Sequence, residues 1–294
     1  MSIPRVKTRP SFPTERRTID FGAVREAVIL AAGMGIRMRE IGNRIPKGFI
    51  CLDTRPIIDE SISRLLAVGI RRIVIVTGHL AEFYAPLQAK YRAVVRLVHN
   101  PRYAESGSMY SLYCARSHVR GDFLLLESDL IYERRALTSC LEYPHKNVVL
   151  LSGYTNSSDE IFVETSQHGH LVSMSKNRDV LGAAIAGEFV GISKVSQRLF
   201  GVMLEKAVER FRTTRRVDYE TDCLVASTGL LDVHCHLVED LIWSEIDDAS
   251  HLSRARDVVY PRLQEQDDEN DLFRPSRQGP SNSPPDSTRD LVTR

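Results

Sequence analysis

The sequence predicts an α/β protein built on a mostly parallel sheet with helices on both faces. Three observations lead there. The runs IVIV (residues 73–76) and FLLL (residues 123–126) have no polar side, as strands covered on both faces require. Strand-like and helix-like segments alternate over the first half of the chain. The run AVILAA (residues 27–32) stops abruptly at Gly-Met-Gly, where a buried strand would leave the sheet.

The elements follow in order. AVILAA is a short apolar strand. PIIDESISRLLAVG carries apolar residues at helical spacing and ends on Gly69, as a capped helix does. RRIVIVTG is a β-branched strand stopped by Gly78. AEFYAPLQAKY is helical in pattern despite Pro86, and VVRLVHN is a strand. SMYSLYCARSHV is a helix with its stripe on Met109, Leu112 and Tyr113, and DFLLLESD is a further strand. Beyond residue 147 the pattern is mixed: short strands at VVLLSG, EIFVET, LVSMS and EFVGIS, a helix from about Ser196 to Arg212, and a late strand in LLDVHCHLV. This second part reads as an elaboration of the same sheet. Ligands of such sheets bind beyond the carboxyl ends of the strands. That puts residues 33–37 and 127–129 at one rim.

Residues 1–23 are rich in Arg, Pro and Thr and read as a flexible extension. Residues 263–294 are polar and dense in Pro, Ser and Asp. They cannot bury enough apolar area to offset their ordering entropy, so a disordered tail is expected. The folded domain is then 24–262. Of the 294 residues, 39 are Lys or Arg and 38 Asp or Glu, for a net charge of +1. This argues against a nucleic-acid surface, which would be strongly basic. No apolar run approaches the ~20 residues of a membrane span, so no membrane insertion is expected. The first residues lack the apolar core of a secretory signal. Five scattered cysteines without a CxxC pair fit a reducing cytoplasm better than a disulfide framework.

Four stretches carry candidate chemistry. In LAAGMGIRM, Gly33 and Gly35 would let backbone amides approach an anion, and Arg37 adds a bidentate donor. An ordinary strand-to-helix turn explains the glycines equally well. A dinucleotide fingerprint is absent, because Met38 stands where its third glycine belongs, and no Walker sequence follows. Lys47, after Pro46, could fold back onto the same phosphates or sit in solvent. Asp129 follows an apolar strand at the rim, either capping the next segment or binding a magnesium ion. In WSEIDDASHL, Glu245 and Asp247 share one face of an extended backbone, where they could hold a metal or merely precede a helix. His234 and His236, His168 and His170, and Ser152 lack the context of a zinc site or a nucleophile elbow.

Taken together, LAAGMGIRM, PKGF, an acid at a strand end and WSEIDD before a helix resemble the nucleotidyltransferases that activate sugars and small phosphorylated alcohols. Within them the chain is similar to the phosphocholine and 2-aminoethylphosphonate cytidylyltransferases. NPRYAESGSMYSLYCAR, FLLLESDLIYE, LLSGYTNSSDEIFVE, GEFVGISK and DLIWSEIDDASHLSRAR carry that likeness over residues 25–262. The resemblance implies a Rossmann-like mixed sheet of the nucleotidyltransferase type and a magnesium-dependent transfer of CMP from CTP, with release of pyrophosphate. It implies that Leu30, Ala31, Ala32, Gly33, Gly35, Arg37 and Lys47, with Ser106, Gly107, Ser108 and Ser111, hold the nucleotide. Arg37, Lys47 and Asp129 would be catalytic, and Asp129, Glu245 and Asp247 would hold Mg2+. Relatives often have an Asn-rich segment where this chain has SGSM. Tyr154, Glu188, Asp218, Tyr219 and Glu220 lie where relatives bind the acceptor, a small phosphonate or phosphate monoester. The acceptor it points to is 2-aminoethylphosphonate, with phosphocholine or 2-hydroxyethylphosphonate as the alternatives. A regulatory protein that binds nucleotide without catalysis would carry the cradle alone. A homodimer is one assembly compatible with such a chain.

Overall fold

Apolar residues on successive strands point alternately to two faces, and each face finds a helical cover. The structure, a computed structural model, describes residues 24–271. The extension 1–23 and the stretch 272–294 lie outside the described residues. Eleven strands are present among them: β1 (Glu26–Ala31), β2 (Arg72–Thr77), β3 (Val95–His99), β4 (Phe123–Glu127), β5 (Leu130–Tyr132), β6 (Val148–Ser152), β7 (Phe162–Thr165), β8 (Leu171–Ser175), β9 (Ile185–Val195), β10 (His234–Val238) and β11 (Trp243–Glu245). The main sheet runs β10-β6-β9-β4-β1-β2-β3, with β7 paired to β9 and β8 to β7. β1, β2, β3 and β4 are mutually parallel, as is β10 with β6. β9 runs antiparallel to β4 and β6. The expected mostly parallel mixed sheet is therefore observed.

Ala27 and Ile29 of β1, Ile73 and Ile75 of β2, and Leu124 and Leu126 of β4 face one core. The helices Ile57–Ala67 and Arg135–Glu142 cover it through Ile58, Ile62, Leu65, Leu137 and Cys140. Val28, Val74, Val76, Phe123 and Leu125 face the other side. There the helices Ser108–Ala115 and Gln197–Arg210 cover them with Met109, Leu112, Leu199, Phe200 and Met203. Ser196 caps the second of these, accepting from the Leu199 N–H. Pro86 sits in the first turn of the helix Ala85–Lys90, where its missing N–H costs nothing.

β5 and β11 form a separate antiparallel pair beside the sheet, in the register Tyr132↔Trp243, Ile131↔Ser244 and Leu130↔Glu245. Ile246 N–H extends the pairing by donating to Asp129 C=O at 3.0 Å. Behind this pair a third core gathers Met38, Ile131, Ile242, Ile246, Val259 and Leu263. The expected disordered tail is corrected here at its start, since the helix Tyr260–Asp271 continues past residue 262. Its composition is polar, but Leu263 is almost fully buried and anchors the turn on that third core. No helix among the described residues is long and apolar enough to cross a membrane.

Leu263→Ala is expected to lower the unfolding free energy by about 2–5 kcal/mol, the usual range for a buried leucine truncation. Urea unfolding measures it, and a loss under about 0.5 kcal/mol would show that this turn packs on nothing.

Candidate active site

β1 and β4 are neighbours and end together, which places the loop after Ala31 beside Ser128 and Asp129. Ser128 N–H donates to Leu30 C=O, holding the second strand end against the first. A short turn, Ile36–Met38, and a short helix, Glu40–Arg44, follow the glycines instead of one long helix. Gly35 takes φ +60°, left-handed backbone that suits glycine. Between these strand ends and the loops opposite lies a cavity of about 320 Å³.

The β5–β11 pairing decides which acids meet there. Asp129 immediately precedes β5, Glu245 ends β11, and Asp247 follows two residues later. Lys47 Nζ lies 2.6 Å from Asp129 Oδ2 and also pairs with Asp247 Oδ1, so one ammonium joins two acids far apart in sequence. Arg37 pairs with Asp247 Oδ2 at 2.6 Å and with Asp159, which also accepts from Lys176 at 2.5 Å. Burial alone would lower the Lys47 ammonium, but Asp129 and Asp247 outweigh it and raise it. Burial likewise opposes ionisation of Asp159, yet Lys176 and Arg37 bring it down to about 2.

Three of the residues lining the cavity are basic (Arg37, Lys47 and Lys176). Six are acidic (Glu127, Asp129, Asp218, Glu220, Glu245 and Asp247). The surplus shows in the carboxyl groups. Burial, and then Asp247, Asp129 and Asp159, push Glu245 up to about 8. Burial and the charges of Asp129 and Glu220 push Glu127 well above the usual range. Carboxyl groups crowded to this degree fit a hard divalent cation, whose ligands are carboxylate oxygens. Glu245 and Asp247 lie close enough to share one, and Asp129 joins Asp247 through Lys47.

Opposite the glycine loop stands the segment 106–111. Asn100, fully buried, donates to Ser106 Oγ at 3.1 Å and to Ser111 Oγ at 3.0 Å. Ser108 Oγ accepts from Tyr219 N–H at 2.9 Å and lies 3.3 Å from Glu220 Oε2. Gly107 lets the Val217 backbone pass where a Cβ would overlap it, so residues 215–219 lie directly on this segment.

Most of the residues expected at the site line the cavity: Leu30, Ala31, Ala32, Gly33, Arg37, Lys47, Ser106, Gly107, Ser108, Ser111, Asp129, Asp218, Glu220, Glu245 and Asp247. Gly35 lies behind it, shaping the turn. Three of the expected acceptor residues do not line it. Tyr219 is fully buried and donates to Glu127 Oε1 at 3.1 Å. Glu188 is buried and accepts from Thr155 N–H and Oγ at 2.8 and 2.7 Å, so both its oxygens anchor a loop. Tyr154, on that loop, is half exposed, and the Arg178 guanidinium lies over its ring. Lys176, Asp159 and His251 join the site without a sequence signal of their own, and Glu127 lines it from the rim already expected there. Asp159 and Lys176 sit in irregular loops with no periodic context, and only the fold brings them to Arg37.

Residues 27–185 match the MobA-like NTP transferase domain. A 2-aminoethylphosphonate cytidylyltransferase from Lancefieldella rimae is 30% identical over 238 residues, covering 77% of this chain and 90% of that protein. A choline-phosphate cytidylyltransferase from Streptococcus pneumoniae is 33% identical over 108 residues, covering 37% of this chain and 46% of that one. The chain thus spans under half the length of this second relative. Among solved structures, the inositol-1-phosphate CTP transferase from T. maritima superposes with a TM-score of 0.70 at 21% identity, over 83% of this chain and 96% of that one. At that identity the likeness speaks for the fold.

Burial, and then Asp218, push the Glu220 carboxyl up to about 7 from its ordinary 4.5. Folding therefore takes up a proton at Glu220. The resulting stabilisation is complete below pH 4.5 and is lost as pH rises to 7. Glu220→Gln does not titrate, so urea unfolding should show a smaller loss of stability across that window than in the wild type. Equal losses would show that Glu220 ionises freely in the folded chain.

Proposed function

Because the chain belongs to the MobA-like NTP transferase family of nucleotidyltransferases, we propose that it is a cytidylyltransferase that passes CMP from CTP to 2-aminoethylphosphonate and releases pyrophosphate. One observation carries the reading. Arg37 and Lys47 meet Asp129 and Asp247 at the ends of β1 and β4, in a cavity also lined by Asp218 and Glu220. The likeness to a 2-aminoethylphosphonate cytidylyltransferase, over 77% of this chain and 90% of that protein, supports the choice of acceptor.

In the reaction, a phosphonate oxygen forms a bond to the α-phosphorus of CTP. The bond from that phosphorus to the bridging oxygen breaks, and pyrophosphate carries away the electron pair. The attacking oxygen is already anionic, so no strong base and no protein nucleophile are needed. The protein's task is to bring two anions together and to spread the charge that develops on the leaving oxygens. The amides of Ala31 to Gly35, with Arg37 and Lys47, suit the triphosphate. Lys176, which shares Asp159 with Arg37, suits the acceptor phosphonate once the substrate oxygens take the place of Asp159. The segment 106–111 suits the cytosine and ribose. A divalent cation, magnesium in this reading, would be held by Asp129, Glu245 and Asp247 and would neutralise triphosphate oxygens.

The ammonium end of the acceptor decides among the candidates. A primary ammonium donates three hydrogen bonds, which Asp218 and Glu220 can accept. The trimethylammonium of phosphocholine donates none and favours aromatic faces. Tyr84 and Tyr103 line the cavity, while the one tryptophan, Trp243, is buried and does not. The proposed location is the cytoplasm, where the five scattered cysteines would stay reduced.

Mixing the protein with Mg2+, CTP and a panel of 2-aminoethylphosphonate, 2-hydroxyethylphosphonate and phosphocholine, and following pyrophosphate, should give the highest kcat/KM with the aminophosphonate. A preference for phosphocholine would move the assignment to that acceptor. Tight CTP binding without product from any acceptor would reject catalysis. Separately, Asp129→Asn should keep the circular dichroism of the wild type and lose about 10²–10³ in kcat, the usual cost of one electrostatic contact to a transition state. Unchanged turnover would remove Asp129 from the machinery.

A further inference from the structure

His251 lies one turn beyond the acids of β11 and is 4% exposed. Its two ring nitrogens are in different circumstances. Nε2 lies 3.0 Å from Ser157 C=O. A carbonyl only accepts, so Nε2 carries the ring proton and donates it. Nδ1 of that neutral tautomer is then a bare lone pair. It is buried and finds no hydrogen-bond partner among the described residues. The carboxylates nearby cannot supply a donor when ionised. Meanwhile, ligating atoms of Glu245, Asp247 and His251 lie within 4.8 Å of one another.

An imidazole with one nitrogen fixed by a backbone carbonyl and the other left as a lone pair is how metal-ligating histidines are oriented. We infer that His251 is a nitrogen ligand of the divalent-cation site at Glu245 and Asp247, which makes it a mixed oxygen–nitrogen site that takes Mn2+ more tightly than Mg2+. This rests on the reading that those acids bind a cation. The selectivity follows from ligand chemistry. Mg2+ prefers carboxylate and water oxygens, whereas imidazole raises affinity for transition metals. The same contact ties the cation to the loop 153–161, because Ser157 holds the ring and Asp159 of that loop holds Arg37.

The test uses the whole chain with Mn2+ alone as the probe. Binding is followed by electron paramagnetic resonance, and the ligands by electron spin-echo envelope modulation, on protein whose histidines carry 15N imidazole. The expected result is an imidazole coupling on the bound Mn2+ that changes from the 14N to the 15N pattern on labelling and vanishes in His251→Gln. Mn2+ affinity should fall by about tenfold in that variant, in line with losses on disturbing a metal's surroundings, and Mg2+ affinity should fall less. Bound Mn2+ without imidazole coupling in the wild type, or coupling that survives in His251→Gln, would overturn the role of His251 and leave the transferase reading intact. Mn2+ binding that is absent, or that Asp247→Asn does not weaken, would overturn the cation site itself. The wild-type spectrum alone decides the first point, whether or not the variant folds.

Discussion

The Lys47 ammonium, set between Asp129 and Asp247, is the contact on which the rest of the site depends. Two like charges about 4 Å apart repel by roughly 4 kcal/mol at the effective dielectric near a protein surface. A domain's net stability is only about 5–15 kcal/mol. Acids brought this close therefore need a cation among them in every state of the protein. The lysine fills that need in the folded chain. A polyvalent substrate with its own cation can take over the role, which frees the ammonium for phosphate oxygens. The same logic applies to Arg37, held by Asp247 and Asp159. Each cationic group that would grip the nucleotide already rests on carboxylates in the orientation it needs.

The acids outnumber the bases around the cavity, and burial first, then the neighbouring carboxylates, displaces Glu245, Glu127 and Glu220 upward. Such an arrangement is costly for folding and serves a reaction between anions only if cations enter with them. A bound divalent ion and an acceptor bearing an ammonium both answer that description.

Much of this was legible in the residue order. The strands of the parallel half could be read because side chains such as Val74, Ile75 and Val76 are buried on both faces, which leaves a run with no polar positions. The glycine turn and Asp129 sit at the ends of such runs, and Lys47 stands out by following Pro46. What could not be read was convergence. The meeting of Asp129 with Glu245 and Asp247 rests on the three-residue strands β5 and β11, too short to show a period. Lys176 and Asp159 stand in loops where charged residues are unremarkable, and only the geometry of the β7–β9 region carries them to Arg37. Glu188 and Tyr219 misled for the opposite reason. Their types suit an ammonium, but burial committed them to Thr155 and Glu127. Leu263 shows the same limit at the chain's end, where one apolar side chain in a polar stretch holds a helical turn.

The β5–β11 pairing also has a temporal side. During synthesis β5 leaves the ribosome long before β11 has been made, and at about 5–20 residues per second the wait lasts several seconds or more. Over that interval the nascent chain holds the glycine turn, Lys47 and Asp129, and the lysine has one carboxylate to lean on instead of two. Until then the chain lacks Glu245 and Asp247, two of the three acids that would hold the cation in the proposed reaction. In that reaction, assembly of the site waits on the docking of β11.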